Sequence, residues 1–209
     1  MPEYLDLPEY EWDDVIKAYR HADTGEVVSD EQMQDLLDDL YDQAADEMAG
    51  MARDAVEGKM TAILFLLAAA FLLKQLYNAF SALAVGGWLH MTDEDWLRNG
   101  VLLSAEYNYL SGMAQDIEGN KLSVVQADSR IRLYMGRAYA RYWEILVRER
   151  TMSSMFTEYR WMDTKDEREC GDCPMYAAQG WVRIGTFGTV PGAGATACLG
   201  ACRCWLEFR

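Results

Sequence analysis

The chain has 209 residues, 51% hydrophobic and 12% aromatic, with a formal net charge of −15. That length suits one domain of ordinary size with a core of its own, and the composition excludes a disordered chain. The charge is lopsided: residues 1–58 carry eighteen Asp and Glu against Lys17, Arg20 and Arg53, whereas residues 59–209 hold sixteen acids and sixteen bases. An acidic end disfavours a phosphate backbone and favours a basic protein surface, or is simply a solvated face. Met1-Pro2-Glu3-Tyr4-Leu5-Asp6 shows no apolar run behind a basic start, so synthesis and folding in a reducing cytosol are expected.

Residues 1–18, rich in Tyr, Trp, Asp and Glu, read as an extended acidic arm that orders against a partner. Residues 18–28 read as a small hairpin turning at Asp23-Thr24-Gly25, with His21 as a packing residue beside it. Arm and hairpin make the first segment, 1–28.

A helical body is expected over 29–160. Ser29 with Gln32 is a capping box, and Met33, Leu36, Leu37, Leu40, Tyr41, Ala44, Ala45 and Met48 form an apolar stripe behind it. Asp35, Asp38, Asp39, Asp42 and Asp46 cover the opposite face as solvated carboxylates, and Gly50 and Gly58 offer places to break or kink. Residues 60–73, MTAILFLLAAAFLL, are uncharged between Lys59 and Lys74. Fourteen residues fall short of the ~20 that a membrane span needs. The run therefore reads as a core helix surrounded by neighbours, with an oligomer interface or a membrane contact as the sharper alternatives. Thr92, followed by three acids, opens another helix that Gly119-Asn120 closes. Ser123 with Gln126 caps a last helix reaching Arg150 or beyond. Arg130, Arg137, Arg141 and Arg148 share one stripe of it, a candidate contact to DNA phosphates or, preferred here, to protein carboxylates.

Residues 161–209 form the third segment, a Cys-rich module of short strands and turns. It holds all five cysteines: Cys170-x-x-Cys173, then Cys198, Cys202 and Cys204. A CxxC knuckle presents two thiolates to one ion, and a second pair from a distant loop closes a tetrahedron. Four of the five are expected to hold Zn2+, with disulfides or free thiols as the alternatives. Cys202 and Cys204 would point to opposite faces of a regular strand, so both can serve one ion only from a turn. The fold class expected is mainly α, a helical body with a small Cys-rich β module at the C-terminus.

The module carries a resemblance. Trp161-Met162-Asp163-Thr164-Lys165-Asp166-Glu167-Arg168, Cys170-Gly171-Asp172-Cys173, a Gly-rich segment and Cys202-Arg203-Cys204 together resemble the C-terminal signature of tailed-phage minor head proteins, the head-morphogenesis or Mu F-like family. Many members carry a histidine before the final cysteines; here Cys198 stands in that stretch and no histidine does. The resemblance implies a virion protein, made in the host bacterial cytoplasm and present in several copies, that binds portal or capsid subunits during head assembly, DNA packaging or ejection. It implies no catalysis and no stable membrane span. The sequence agrees in lacking Gly-x-Ser-x-Gly, HExxH and GxxxxGK[ST] motifs. The alternative from another class is a small zinc-dependent hydrolase or nuclease, with Asp166 or Glu169 activating a metal-bound water.

Overall fold

The computed structural model describes residues 7–153, 155–164, 170–199 and 202–209. A hairpin, β1 (Tyr10–Asp13) and β2 (Ala18–His21), precedes four long helices: α1 (Asp30–Val56), α2 (Ala62–Val85), α3 (Asp93–Glu118) and α4 (Val124–Met152). A short three-stranded sheet follows, built from β3 (Glu158–Met162), β4 (Val182–Arg183) and β5 (Trp205–Phe208), with one short helix, α5 (Cys173–Ala177). The protein is mainly α, as the sequence implies.

Each long helix starts where its cap residue stands. Ser29, Thr92 and Ser123 accept from the amide three residues on, and Gln32, Asp95 and Gln126 reach back to the cap amides, closing three capping boxes. Thr61 caps α2 by accepting from the Leu64 amide. Gly50 does not break α1. The helix runs through it and stops before Gly58, whose φ of +74° is a left-handed conformation that a side chain resists.

The arm departs from expectation. Tyr10–Asp13 is strand rather than free chain, paired antiparallel with Ala18–His21 from Tyr10↔His21 to Asp13↔Ala18. The turn between the strands is tied locally: Asp13 Oδ1 accepts from the Val15 amide at 2.9 Å, and Arg20 Nε donates to Asp13 Oδ2 at 2.8 Å. The anticipated turn at 22–25 also forms, with the His21 amide donating to Glu26 O at 2.9 Å, so β2 is paired on both sides. Tyr-Glu-Trp-Asp alternates aromatic and acidic residues with period 2, a strand signal that the arm reading passed over. Trp12 then docks on the end of α2, and a Cβ built on Gly86 would lie 2.1 Å from its ring.

Helix α2 is central only over its second half. From Leu76 to Val85 every residue is buried, against α3, α4 and α1. The first half presents Ile63, Leu64, Leu67 and Phe71 to solvent, with exposures of 57–69%. The core-helix expectation therefore holds for one end, while the other end carries an open apolar stripe. By length and composition α2 could cross a membrane, and 44% of its most apolar window is buried within the protein.

The sheet has the order β4-β3-β5, with Tyr159 opposite Phe208 and Trp161 opposite Leu206. Alternation puts Tyr159, Trp161 and Leu206 inward, each no more than 1% exposed. Strand β3 begins at Glu158, three residues before the expected start of the module, and the module does not stand apart. Its aromatic residues and cysteines join the helices in one continuous core. Tyr139 donates to Cys204 O at 2.8 Å, the Phe208 amide donates to Asp30 Oδ2 at 3.0 Å, and Gly192 sits 2.9 Å (as a Cβ would) from Gly136 O. At φ +78° against α4 backbone, only glycine fits there.

Candidate metal centre

The five cysteines converge. Cys170 precedes α5, Cys173 opens it, Cys198 follows the Gly-rich turns, and Cys202 and Cys204 lead into β5. Because β5 begins only at Trp205, Cys202 and Cys204 escape the alternation of a strand, and both sulfurs turn to the same side. Cys173 Sγ lies 3.3 Å from Cys170 Sγ, 3.8 Å from Cys198 Sγ and 3.8 Å from Cys202 Sγ. Two sulfur triads result, Cys170–Cys173–Cys198 and Cys173–Cys202–Cys204, each within 4.8 Å and sharing Cys173. All five thiols are free. A tetrahedral ion at ~2.3 Å from four sulfurs sets S–S edges near ~3.8 Å. Each triad supplies three sulfurs for such an ion, so the cluster can hold a metal once a fourth sulfur moves in.

The loops are fixed by groups outside the sulfur set. Asp172 Oδ2 accepts from the Ala197 amide at 2.7 Å, tying the knuckle to the loop that carries Cys198. Thr196 Oγ1 lies 3.0 Å from Cys198 Sγ. Trp161 stacks on Tyr176 of α5 at 4.7 Å, with Phe187 edge-on to both, so α5 is clamped to β3.

Without a cation, the thiols resist joint ionisation. Burial raises Cys170, but hydrogen bonds from the Cys173 and Cys198 thiols and the Cys173 and Asp172 amides outweigh it and hold it at about 7. Burial, then the charge of Cys202, pushes Cys173 far up. Cys198 is raised by its hydrogen bond with Cys202 and by burial. The Cys198 hydrogen bond lowers Cys202, yet Cys204 and burial together push it up to about 11. Cys170 is ready to ionise, whereas Cys173, Cys198 and Cys202 give up their protons more readily to a cation.

Solvent reaches Cys198 and Cys202 through a pocket of about 310 Å3, whose walls include Asp38, Tyr41, Arg132 and Arg203. Burial pushes Asp38 up to about 6 against a lowering hydrogen bond from Gln34. Sequence reasoning placed Asp38 on a solvated helix face; the return of Cys198, Cys202 and Arg203 beside α1 covers it. Asp166 and Glu169, the acids expected for a hydrolytic site, lie outside the described residues. His21 packs against Tyr10, with ring centroids 5.3 Å apart, and His90 Nδ1 is 3.2 Å from Gly86 O.

The arginine stripe of α4 is matched from within the chain, by α3 rather than by the acidic α1. Arg130 meets Asp116 at 2.7 Å, Arg137 meets Glu106 at 3.5 Å, and Arg141 and Arg148 meet Asp95 at 3.3 and 2.7 Å. Antiparallel helices with acids at 95, 106 and 116 and bases at 148/141, 137 and 130 form a charge ladder. Asp95 is fully buried. Burial opposes its ionisation, but hydrogen bonds from Arg148 and Thr92 outweigh it and hold the carboxyl below its usual range. Asn99 continues the network, donating to Asn78 Oδ1 at 3.1 Å and to Ser81 Oγ at 2.9 Å.

Comparison with protein-family models, with curated proteins and with solved structures finds no match to this chain.

Proposed function

We propose that the chain is a minor virion protein of a tailed phage, acting at or near the portal in head assembly, genome packaging or genome ejection by binding rather than catalysis. The observation that carries this reading is the ordered C-terminal signature, Trp161, Cys170-x-x-Cys173 and Cys202-Arg203-Cys204. Two surface features fit a docking protein: the open apolar stripe of α2 and the acidic face of α1. The first suits a hydrophobic groove on a portal or capsid subunit, the second a basic neighbour. Zinc is the metal of choice for the thiol cluster, since an all-cysteine set with tetrahedral spacing in a reducing compartment suits it best. Four of the five cysteines are its ligands, Cys173 among them because its sulfur belongs to both triads. The zinc holds the module's loops in place and does no chemistry.

The test is direct. Mass spectrometry of purified virions of the encoding phage should find the chain in several copies, and a map of the particle should place it against the portal. Particles that assemble, package and infect normally without it would overturn the reading.

One observation favours a second reading, a zinc-dependent hydrolase: Asp38 shares the pocket that opens onto Cys198 and Cys202. A carboxylate beside an exposed ligand could orient a water if one cysteine left the ion. Turnover of a nucleic acid that EDTA abolishes and Asp38→Asn removes would establish it. Absence of turnover with zinc bound would exclude it.

A further inference from the structure

Where α2 turns into α3 the surface is apolar and open. Leu89, on the 3-10 turn Trp88–His90, is 98% exposed, and Leu97 and Val101, early in α3, are 70% and 56% exposed. Trp96 stacks on Trp88, with ring centroids 5.8 Å apart and planes 12° apart, yet keeps 41% of its surface open. A Cβ built on Gly100 would meet nothing within 4 Å, so the chain lays no other element over this side of α3. Single exposed apolar side chains are ordinary, whereas large ones grouped at one corner mark a contact surface.

The charges beside the patch select its occupant. A rotation of about 100° per residue sets Leu97 and Val101 between Trp96 on one flank and Glu94 and Arg98 on the other. Glu94 and Arg98 are exposed, and neither joins an ion pair among the described residues. Two antiparallel helices related by a two-fold axis set like flanks side by side, because an isologous contact is self-complementary. With the axis at Trp96, midway between 94 and 98, Glu94 of each copy lies level with Arg98 of the other. The same register brings Leu97 against Leu97 across the axis and Val101 beside Leu89. The four apolar side chains leave roughly 500 Å2 open on each copy, so pairing two copies covers about 1,000 Å2, the lower bound of a specific interface. A lipid surface would draw Glu94 and Arg98 out of water unpaired, whereas a second copy pairs both.

We propose that this corner is a homodimer contact: a second copy of the chain docks antiparallel on α3 through Leu89, Trp96, Leu97 and Val101, and reciprocal Glu94–Arg98 ion pairs fix the register. The contact is independent of the thiol cluster and of the virion reading, and it leaves the apolar stripe of α2 open to another partner.

The purified chain should be followed by sedimentation velocity and light scattering over a concentration series, with flotation on phosphatidylcholine vesicles in parallel. A dimer is expected with a Kd on the order of 10 µM, weakening as salt rises. Leu97→Asp should abolish it without changing the melting temperature, since that side chain is largely in solvent. Arg98→Glu should weaken it by ~10-fold or more by setting acid against acid, and the double variant Glu94→Arg/Arg98→Glu should restore it to within ~3-fold. Leu67→Lys, on the stripe of α2, should leave it intact. A chain that stays monomeric at every concentration, a dimer that survives Leu97→Asp, or a double reversal that restores nothing would overturn the proposal. Loss of the dimer in Leu67→Lys would move the contact to α2 and overturn it as well. So would vesicle binding by a monomeric chain that Leu97→Asp removes, which would give the patch to lipid.

Discussion

Asp95 shows how much one side chain can carry. It closes the capping box of α3 through Thr92 and receives both Arg141 and Arg148 from α4, with its own carboxylate fully buried. A buried pair is weak evidence of net stability, but removing one partner strands the other. Asp95→Ala should therefore destabilise the protein by about 3–5 kcal/mol in urea unfolding, and the double variant Asp95→Ala/Arg141→Ala by less than the sum of its parts. Asp38 predicts the opposite sign with pH. Its folded value, about 6, lies above the ordinary 3.8, so the folded state holds the proton longer. Stability should fall as pH rises from about 4 to about 6, by about 1 kcal/mol after allowing for solvent screening, and then level off. In Asp38→Asn this fall should vanish from unfolding curves taken across that window.

At the level of elements, helix caps and glycines do the punctuation, and one glycine also joins two elements. Gly86 ends α2 at φ +85°, and the Trp12 ring of the hairpin lies over the space where its side chain would be. An added methyl must both strain the backbone and push Trp12 off the bundle. Gly86→Ala should cost about 2 kcal/mol or more and speed amide exchange of Ala18–His21 more than that of α4. If exchange in the hairpin were unchanged, Trp12 would not be what seats it. The open half of α2 is the counterpart. Its stripe of Ile63, Leu64, Leu67 and Phe71 makes few internal contacts, so Leu67→Lys should leave the melting temperature nearly unchanged. The same change should abolish docking on the proposed portal or capsid partner, read by co-sedimentation.

Across the whole molecule, the thiol cluster links the sheet to the bundle. A ligand bound only by the folded state stabilises it by about 2.7 kcal/mol at one hundred times its dissociation constant. Stripping the proposed zinc with a strong chelator should lower the melting temperature by several degrees, exposing β3–β5 before α1–α4. Cys173→Ser should abolish zinc in elemental analysis, since that sulfur belongs to both triads. Binding displaces protons from thiols held mostly above neutral pH, so zinc affinity should fall steeply as pH drops from 8 to 6.

The sequence by itself determined the four long helices and most of their starts and stops, though not the passage of α1 through Gly50 or the full reach of α2 to Val85. Caps, apolar period and glycine stops are local chemistry, and Ser29, Thr92 and Ser123 act within four residues of themselves. It also marked the cysteines as one cluster, because CxxC spacing implies a shared ion. Strand β1 was legible in the alternation of Tyr10, Glu11, Trp12 and Asp13, but so short a run was outweighed by the acidic, proline-containing composition around it, which reads as an arm. The partner of the arginine stripe was not legible: the choice of α3 over the more acidic α1 depends on which faces meet when the bundle closes. Burial, and with it the shifted acidity of Asp38, Asp95 and four of the thiols, belongs to the tertiary structure, because it depends on neighbours far away along the chain, as Cys198 and Cys202 are from Asp38, 160 and 164 residues on.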